Sequence, residues 1–280
     1  MKRTLLIFLA TVTVVGAFAQ NPSLSIYTDL RSALKNPKKV VGLDLSHSSI
    51  EGLEKALPFF VNLEYLNLSD KRLTKVPSSI SELPKLQFLD LSGNDFVVLP
   101  EQLSNVSSLR EIRLDRQLKM DKKQVLEVLA RLPALTALSL RSDSIQTLPP
   151  TIGKLTGLQS LNLGGNPITE LPESMLKLEN LNEIYLDGDT KLDLKQALSV
   201  LGKLPDLQVL HLEDNQLKVL PENMRDLKQL RELYLARNSI RSLKIDLEQS
   251  KQLDYLDVQG NPMNNEAHQY LNRTGVRFNF

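Results

Sequence analysis

His47, His211 and His268 are the only histidines in this chain of 280 residues, and cysteine is absent. Imidazole and thiolate are the usual ligands for transition metals and common players in nucleophilic catalysis. The histidines fall in the first coil, the eighth coil and the C-terminal cap of the repeat pattern set out below, so no two share ordinary ligand spacing. No nucleophile elbow, phosphate loop or zinc motif occurs. One acid–base grouping remains: His211 with Asp187 and Glu213 as near neighbours. These residues belong to short strands of an open sheet, which neither encloses a substrate nor excludes water, as electrostatic catalysis requires. The expectation is therefore no enzyme, no metal and no cofactor.

The same region suits recognition better than reaction. Tyr185, His211 and Tyr234 are expected side by side on consecutive strands, with Tyr255 diagonal to them and Asp187, Glu213, Asp214 and Arg237 flanking. Exposed aromatics rimmed by charges are what a binding hot spot uses. Two readings stand at this level. The group is either a partner-binding surface or a cross-strand ladder that stabilises the sheet. A second group, Arg110, Arg113, Arg116 and Arg141 with Glu111 and Asp115 among them, reads as a solvated ion-pair network.

The elements that position these residues come from a repeat. The frame L-x-x-L-x-L-x-x-N-x-L begins at Val40, Leu63, Leu86, Leu109, Leu135, Leu158, Leu181, Leu207, Leu230 and Leu253, at spacings of 23 or 26 residues. Alternation along a strand sends the fourth and sixth positions, such as Leu161 and Leu163, into a core. The third and fifth positions then line the opposite face. The third column reads Gly42, Tyr65, Phe88, Glu111, Ala137, Ser160, Glu183, Val209, Glu232 and Tyr255. The fifth reads Asp44, Asn67, Asp90, Arg113, Ser139, Asn162, Tyr185, His211, Tyr234 and Asp257. Ten strands about 4.8 Å apart make a face roughly 43 Å long. The ninth position is Asn at 94, 166, 215, 238 and 261 and Asp at 143 and 189. A buried amide there can donate and accept at once, which satisfies the backbone of adjacent turns.

The second half of each coil returns along the other side. Leu99-Pro100, Leu171-Pro172 and Leu220-Pro221 open it, and proline favours a turn into a short 3₁₀ or helical piece. The 26-residue coils instead carry Val125, Val128, Leu129 and Leu132, and 72 residues later Ala197, Val200, Leu201 and Leu204, each set on one face of an α-helix. Asp121 and Asp193 stand where caps belong. The recurrence suggests duplication of a 72-residue unit. The exposed ends of such a stack need caps. Tyr27, Leu30, Arg31 and Leu34 suggest a short N-terminal helix. Residues 265–271 suggest a helix at the other end, followed by a closing strand over 276–280 with Phe280 as a cap residue.

Composition agrees with a folded chain: 41% hydrophobic, 24% charged, no Trp. A net charge of +1 leaves no field to gather phosphates, so nucleic acid is not an expected partner. Lys2 and Arg3, an apolar run over Leu5–Phe18 and small residues at Ala17 and Ala19 read as a secretory signal cleaved after Ala19. Cleavage would leave 32 basic against 33 acidic residues, a net of −1, and no integral membrane segment.

The frame and the Leu-Pro step resemble those of leucine-rich-repeat proteins of the 23-residue kind, similar to Ras-suppressor-like proteins and many exported bacterial ones. The resemblance covers Val40 to Met263. It implies an α/β, right-handed solenoid shaped as a horseshoe, with a parallel sheet on the concave side and short helical or 3₁₀ segments on the convex side. It also implies a protein or peptide ligand on the concave face. Lys71 and Gln117 at Asn positions, Lys119 and Lys191 at apolar positions, and Lys244 in place of Pro depart from the pattern locally. The expected organisation is a signal over 1–19, an N-terminal cap over 20–39, ten repeats over 40–263 and a C-terminal cap over 264–280. The expected protein is a monomeric, secreted, periplasmic or surface-associated binder, bacterial in style. A glycan ligand, or a structural role in the cell envelope, is the alternative.

Overall fold

The computed structural model describes residues 26–243, 252–267, 269 and 276–279. The expected signal, Lys244, His268, Phe280 and part of the expected C-terminal helix lie outside these residues; 265–267 and 269 are helical. One parallel sheet holds twelve strands in sequence order. They are β1 (Ile26–Tyr27), β2 (Gly42–Asp44), β3 (Tyr65–Asn67), β4 (Phe88–Asp90), β5 (Glu111–Arg113), β6 (Ala137–Ser139), β7 (Ser160–Asn162), β8 (Glu183–Tyr185), β9 (Val209–His211), β10 (Glu232–Tyr234), β11 (Tyr255–Asp257) and β12 (Arg277–Asn279). Ten of these are the frame's own third-to-fifth positions. The chain is a right-handed solenoid, its sheet open on the concave side.

Burial follows the frame. In the sixth coil Leu158, Leu161, Leu163, Ile168, Leu171, Met175 and Leu178 are all buried. No coil could bury these residues alone, so each depends on its neighbours. The proline steps lead into 3₁₀ turns at Glu101–Asn105, Glu173–Lys177 and Glu222–Asp226. The long coils form α-helices at Lys122–Leu129 and Leu194–Leu201, capped by Asp121 and Asp193. Gln124 and Gln196, also 72 residues apart, each bond both the N–H and the C=O of a Leu-Pro leucine one coil earlier, Leu99 and Leu171. The duplicated unit thus carries a duplicated contact.

At the N-terminus the structure departs from expectation. Ile26–Tyr27 is a strand that pairs with β2, and the helix is a single turn, Leu30–Ala33. Its buried residues are Leu30 and Ala33, while Leu34 is 41% exposed. Asp29, whose carboxylate accepts from Ser32 N at 2.8 Å, is the cap that sets the start at Leu30. At the far end Arg277–Asn279 pairs with β11 and closes the sheet. No helix among the described residues is long and apolar enough to cross a membrane.

The ninth-position ladder satisfies the turns after the strands. Asn166 accepts from Asp143 N at 2.8 Å and Ile145 N at 3.0 Å, and donates to Leu140 O at 2.8 Å and Leu163 O at 2.7 Å. Asn94 and Asn238 make the same four bonds in their coils. Gln117 reaches Leu91 O with its amide, and Lys71 reaches Ser48 O with Nζ, so both departures keep a bond to the preceding coil. The residue just before each ninth position, from Asp70 to Gly260, is left-handed: glycine at 93, 165, 188 and 260, but Asp70, Arg116, Ser142, Asp214 and Arg237 elsewhere. The turn imposes that conformation whatever the side chain.

Asp143 is a buried weak point of the ladder. Its Oδ1 accepts from Gln117 N at 2.6 Å, but Oδ2, standing where asparagine would donate, has no partner. Burial pushes its carboxyl up to about 7, because the charged form is cut off from water there. The folded value lies above the unfolded one, so this residue's contribution to stability falls as pH rises from about 4 to about 7. Asp143→Asn should gain about 1–3 kcal/mol over wild type at pH 8 and almost nothing at pH 4 in urea unfolding. Asn166→Ala, which strands four backbone groups, should lose at least about 2 kcal/mol at either pH.

Candidate functional site

Each of the ten frame strands, β2 to β11, is three residues long, with its middle residue in the core and its outer two on the concave face. Parallel pairing without offset places Tyr185 opposite His211, His211 opposite Tyr234, and Tyr255 opposite Glu232. The rings therefore meet. Tyr185 and His211 stack with centroids 3.9 Å apart at 9°, and His211 and Tyr234 at 4.3 Å and 9°. Tyr255, one column over, leans at 53° and 5.5 Å. The sheet's strand repeat of about 4.8 Å is close to ring-stacking distance, and this makes a continuous ladder possible.

Carboxylates fix the ladder at its edges. Tyr185 OH donates to Glu183 Oε1 at 2.8 Å and Tyr234 OH to Glu232 Oε2 at 2.7 Å. Glu183 is only 6% exposed and also accepts from Ser160 Oγ at 3.1 Å. His211 stands between two carboxylates, Nε2 3.5 Å from Glu183 and Nδ1 3.3 Å from Glu213. Burial alone would depress its pKa, but the bonds to Glu183 and Glu213 outweigh burial and raise it to about 8. Burial, and then the adjacent Glu183 or Glu232, pushes the phenols of Tyr185 and Tyr234 upward, so both remain neutral donors.

The other expected residues divide. Glu213 joins the ladder through His211. Asp187 does not: it pairs with Arg141 at 2.7 Å, across the intervening strand's end at Gly164, where a Cβ would collide with both side chains. Asp214 and Arg237 form a bidentate pair at 2.6–3.0 Å on the left-handed turn residues, exposed and bonded to each other. The arginine group is not one network. Arg113 bonds Glu111, Arg116 reaches Asp70, and Arg141 takes Asp187. Asp115 instead accepts from Ser139 Oγ and Arg141 N. Glu183, Glu232 and Arg141 were missing from the sequence-derived site. The two glutamates had a readable signal, since a residue two before a tyrosine on a strand shares its face.

A second, shorter ladder lies toward the N-terminus. Tyr65 and Phe88 stack at 4.8 Å and 4°, and the Arg113 guanidinium carbon is 5.2 Å from the Phe88 centroid. Among the described residues no group of three or more His, Asp or Glu is arranged to hold a metal ion.

A leucine-rich repeat region model matches residues 102–250, and a leucine rich repeat model matches 38–96 and 62–117. The chain belongs to the leucine-rich-repeat family. Among solved structures, an internalin from Listeria monocytogenes is similar at a TM-score of 0.59 and 20% identity, covering 89% of this chain and 70% of that one. The Toll–Spatzle complex of Drosophila contains a chain similar at a TM-score of 0.64 and 19% identity, covering 89% of this chain and 33% of that one. These likenesses show the fold. No curated protein matches the sequence. Leucine-rich-repeat proteins generally mediate protein–protein contact and are typically non-enzymatic scaffolds.

The ladder makes a titration prediction. With a folded pKa raised from 6.5 to about 8, His211 adds stability that is full below about 6.5 and is lost as pH rises through 8. NMR titration of the His211 ring should give a value near 8. Glu213→Gln should bring it down; an unchanged value would show that Glu213 plays no part.

Proposed function

We propose that this chain is an exported, non-catalytic binding protein whose concave sheet, chiefly its C-terminal half, engages a protein or peptide. The observation that carries this reading is the Tyr185–His211–Tyr234 ladder, held rigid by Glu183, Glu213 and Glu232. Rings locked before binding lose little conformational entropy when a partner lands on them. Large aromatics with a charged rim are the side chains that most often dominate interface energetics. The open sheet also supports a non-catalytic role, because His211 and its carboxylates face no enclosed chamber.

A glycan is less well suited to the ladder itself. Sugars pack on open ring faces, and here Tyr185, His211 and Tyr234 cover much of one another's faces and present edges. Edges with carboxylates two residues away suit the N–H groups and basic side chains of a peptide. Export rests on the residues before Gln20: a basic start, a short apolar run and Ala17 and Ala19.

Two measurements test the proposal. Cross-linking pull-down from the native envelope should recover a partner with wild type, and Tyr185→Ala with Tyr234→Ala should weaken it about tenfold or more at nearly unchanged melting temperature. Equal recovery with the double variant would refute the ladder as the contact surface. The intact mass of the protein from its native source should correspond to a chain beginning at Gln20, and a mass retaining Met1 would refute cleavage.

A further inference from the structure

The two ladders do not meet. Between Arg113 on β5 and Tyr185 on β8 lie β6 and β7, whose concave residues are small: Ala137, Ser139, Ser160 and Asn162. Their shortness leaves a notch two strands wide, about 290 Å³ in volume. Three strand steps separate its walls, roughly 14 Å. The column that carries the stacked Tyr185, His211 and Tyr234 thus continues over two rungs that hold no ring. One wall is the Tyr185 ring, whose other face is covered by His211. The opposite wall is Arg113, seated beside Phe88 and tied to Glu111 at 2.9 Å. The Arg141–Asp187 pair runs past one end.

The polar groups around the notch are largely occupied by one another. Ser139 donates to Asp115, Ser160 to Glu183, and Arg141 to Asp187. Asn162 accepts from Gly164 N, and its Nδ2 makes no hydrogen bond to the described residues. The feature the notch offers most is therefore the flat face of Tyr185 with a guanidinium opposite. A sugar would need a dense set of free donors and acceptors. A planar ring needs parallel walls and one or two polar groups at its edge.

We propose that this notch is a specificity pocket for an aromatic side chain of the bound peptide, which lies against Tyr185 and extends the stack by one rung toward Arg113. This rests on the reading of the concave face as a peptide-binding surface. It adds to that reading which residue type the peptide must carry and where that residue sits. One rung from Tyr185 the ring's edge lies over Asn162, so the Asn162 amide is placed to meet a tyrosine hydroxyl. Arg113, two strand steps beyond that ring and so about 10 Å away, bounds the far end of the notch.

The test uses a displayed library of random twelve-residue peptides selected on the full chain. Selected peptides are then measured by fluorescence polarisation against wild type, Asn162→Tyr, Ser139→Tyr and Tyr234→Ala. Asn162→Tyr fills the notch from its floor, and the same column already accepts tyrosine at 185 and 234. Ser139→Tyr fills it from the adjacent strand, in case the first variant folds poorly; a melt by circular dichroism decides which filler is used. The selected peptides should share a Tyr, Trp or Phe. Replacing that residue with Ala, or filling the notch, should each weaken binding about tenfold or more. Peptides that lose binding on Tyr234→Ala but bind the filled notch as well as wild type would overturn the pocket and leave the concave-face reading standing. Peptides indifferent to every variant, or no selected peptides, would overturn both. Binding of an oligosaccharide that the filler blocks, without an aromatic consensus among peptides, would overturn the aromatic occupant.

Discussion

Every feature of this molecule depends on the stacking of coils that cannot bury their leucines alone. A three-residue strand has one core-facing side chain, so a single coil has almost no interior. Burial becomes complete only when the next coil lies flush against it. The ninth-position amide makes that flush contact specific. Asn166 joins backbone groups of its own coil and the one before, so the coils cannot slide without leaving buried polar groups unpaired. Hydrophobic burial supplies the drive, and the amide ladder supplies the register.

Register in turn creates the candidate site. Because Tyr185, His211 and Tyr234 occupy the same position of successive coils, they stack with no further design. The stack is a consequence of the fold, but its rigidity is not. Glu183, Glu213 and Glu232 supply that, each placed two residues from the ring it serves. Sheet stabilisation and recognition are therefore compatible uses of one ladder, since cross-strand pairing is what holds the rings ready.

Much of this was legible in the sequence. Ten of the twelve strands, the Asn ladder, the 3₁₀ turns after Pro100, Pro172 and Pro221, and the two capped helices follow from position within the frame. Tyr185, His211 and Tyr234 could be aligned from numbering alone. What the frame did not reveal depended on side-chain reach rather than on position. Arg141 passes its own neighbour to find Asp187 because Gly164 leaves space, and Arg116 reaches two coils back to Asp70. Ile26–Tyr27 is too short and outside the frame to read as a strand; it forms because β2 leaves an edge to cover. The left-handed turn residues were hidden because only some of them are glycine.

The central claim is that partners meet the concave sheet and not the segments that follow the ninth positions, where Val97, Val98, Leu118 and Val219 are exposed. The most direct measurement is site-specific photo-cross-linking, with the reactive group placed at exposed Gln259, two residues beyond Asp257 on the same face, or at exposed Val98, before the Leu99-Pro100 step. Adducts with the native partner should form from Gln259 and be absent from Val98. Adducts from Val98 with none from Gln259 would contradict the account.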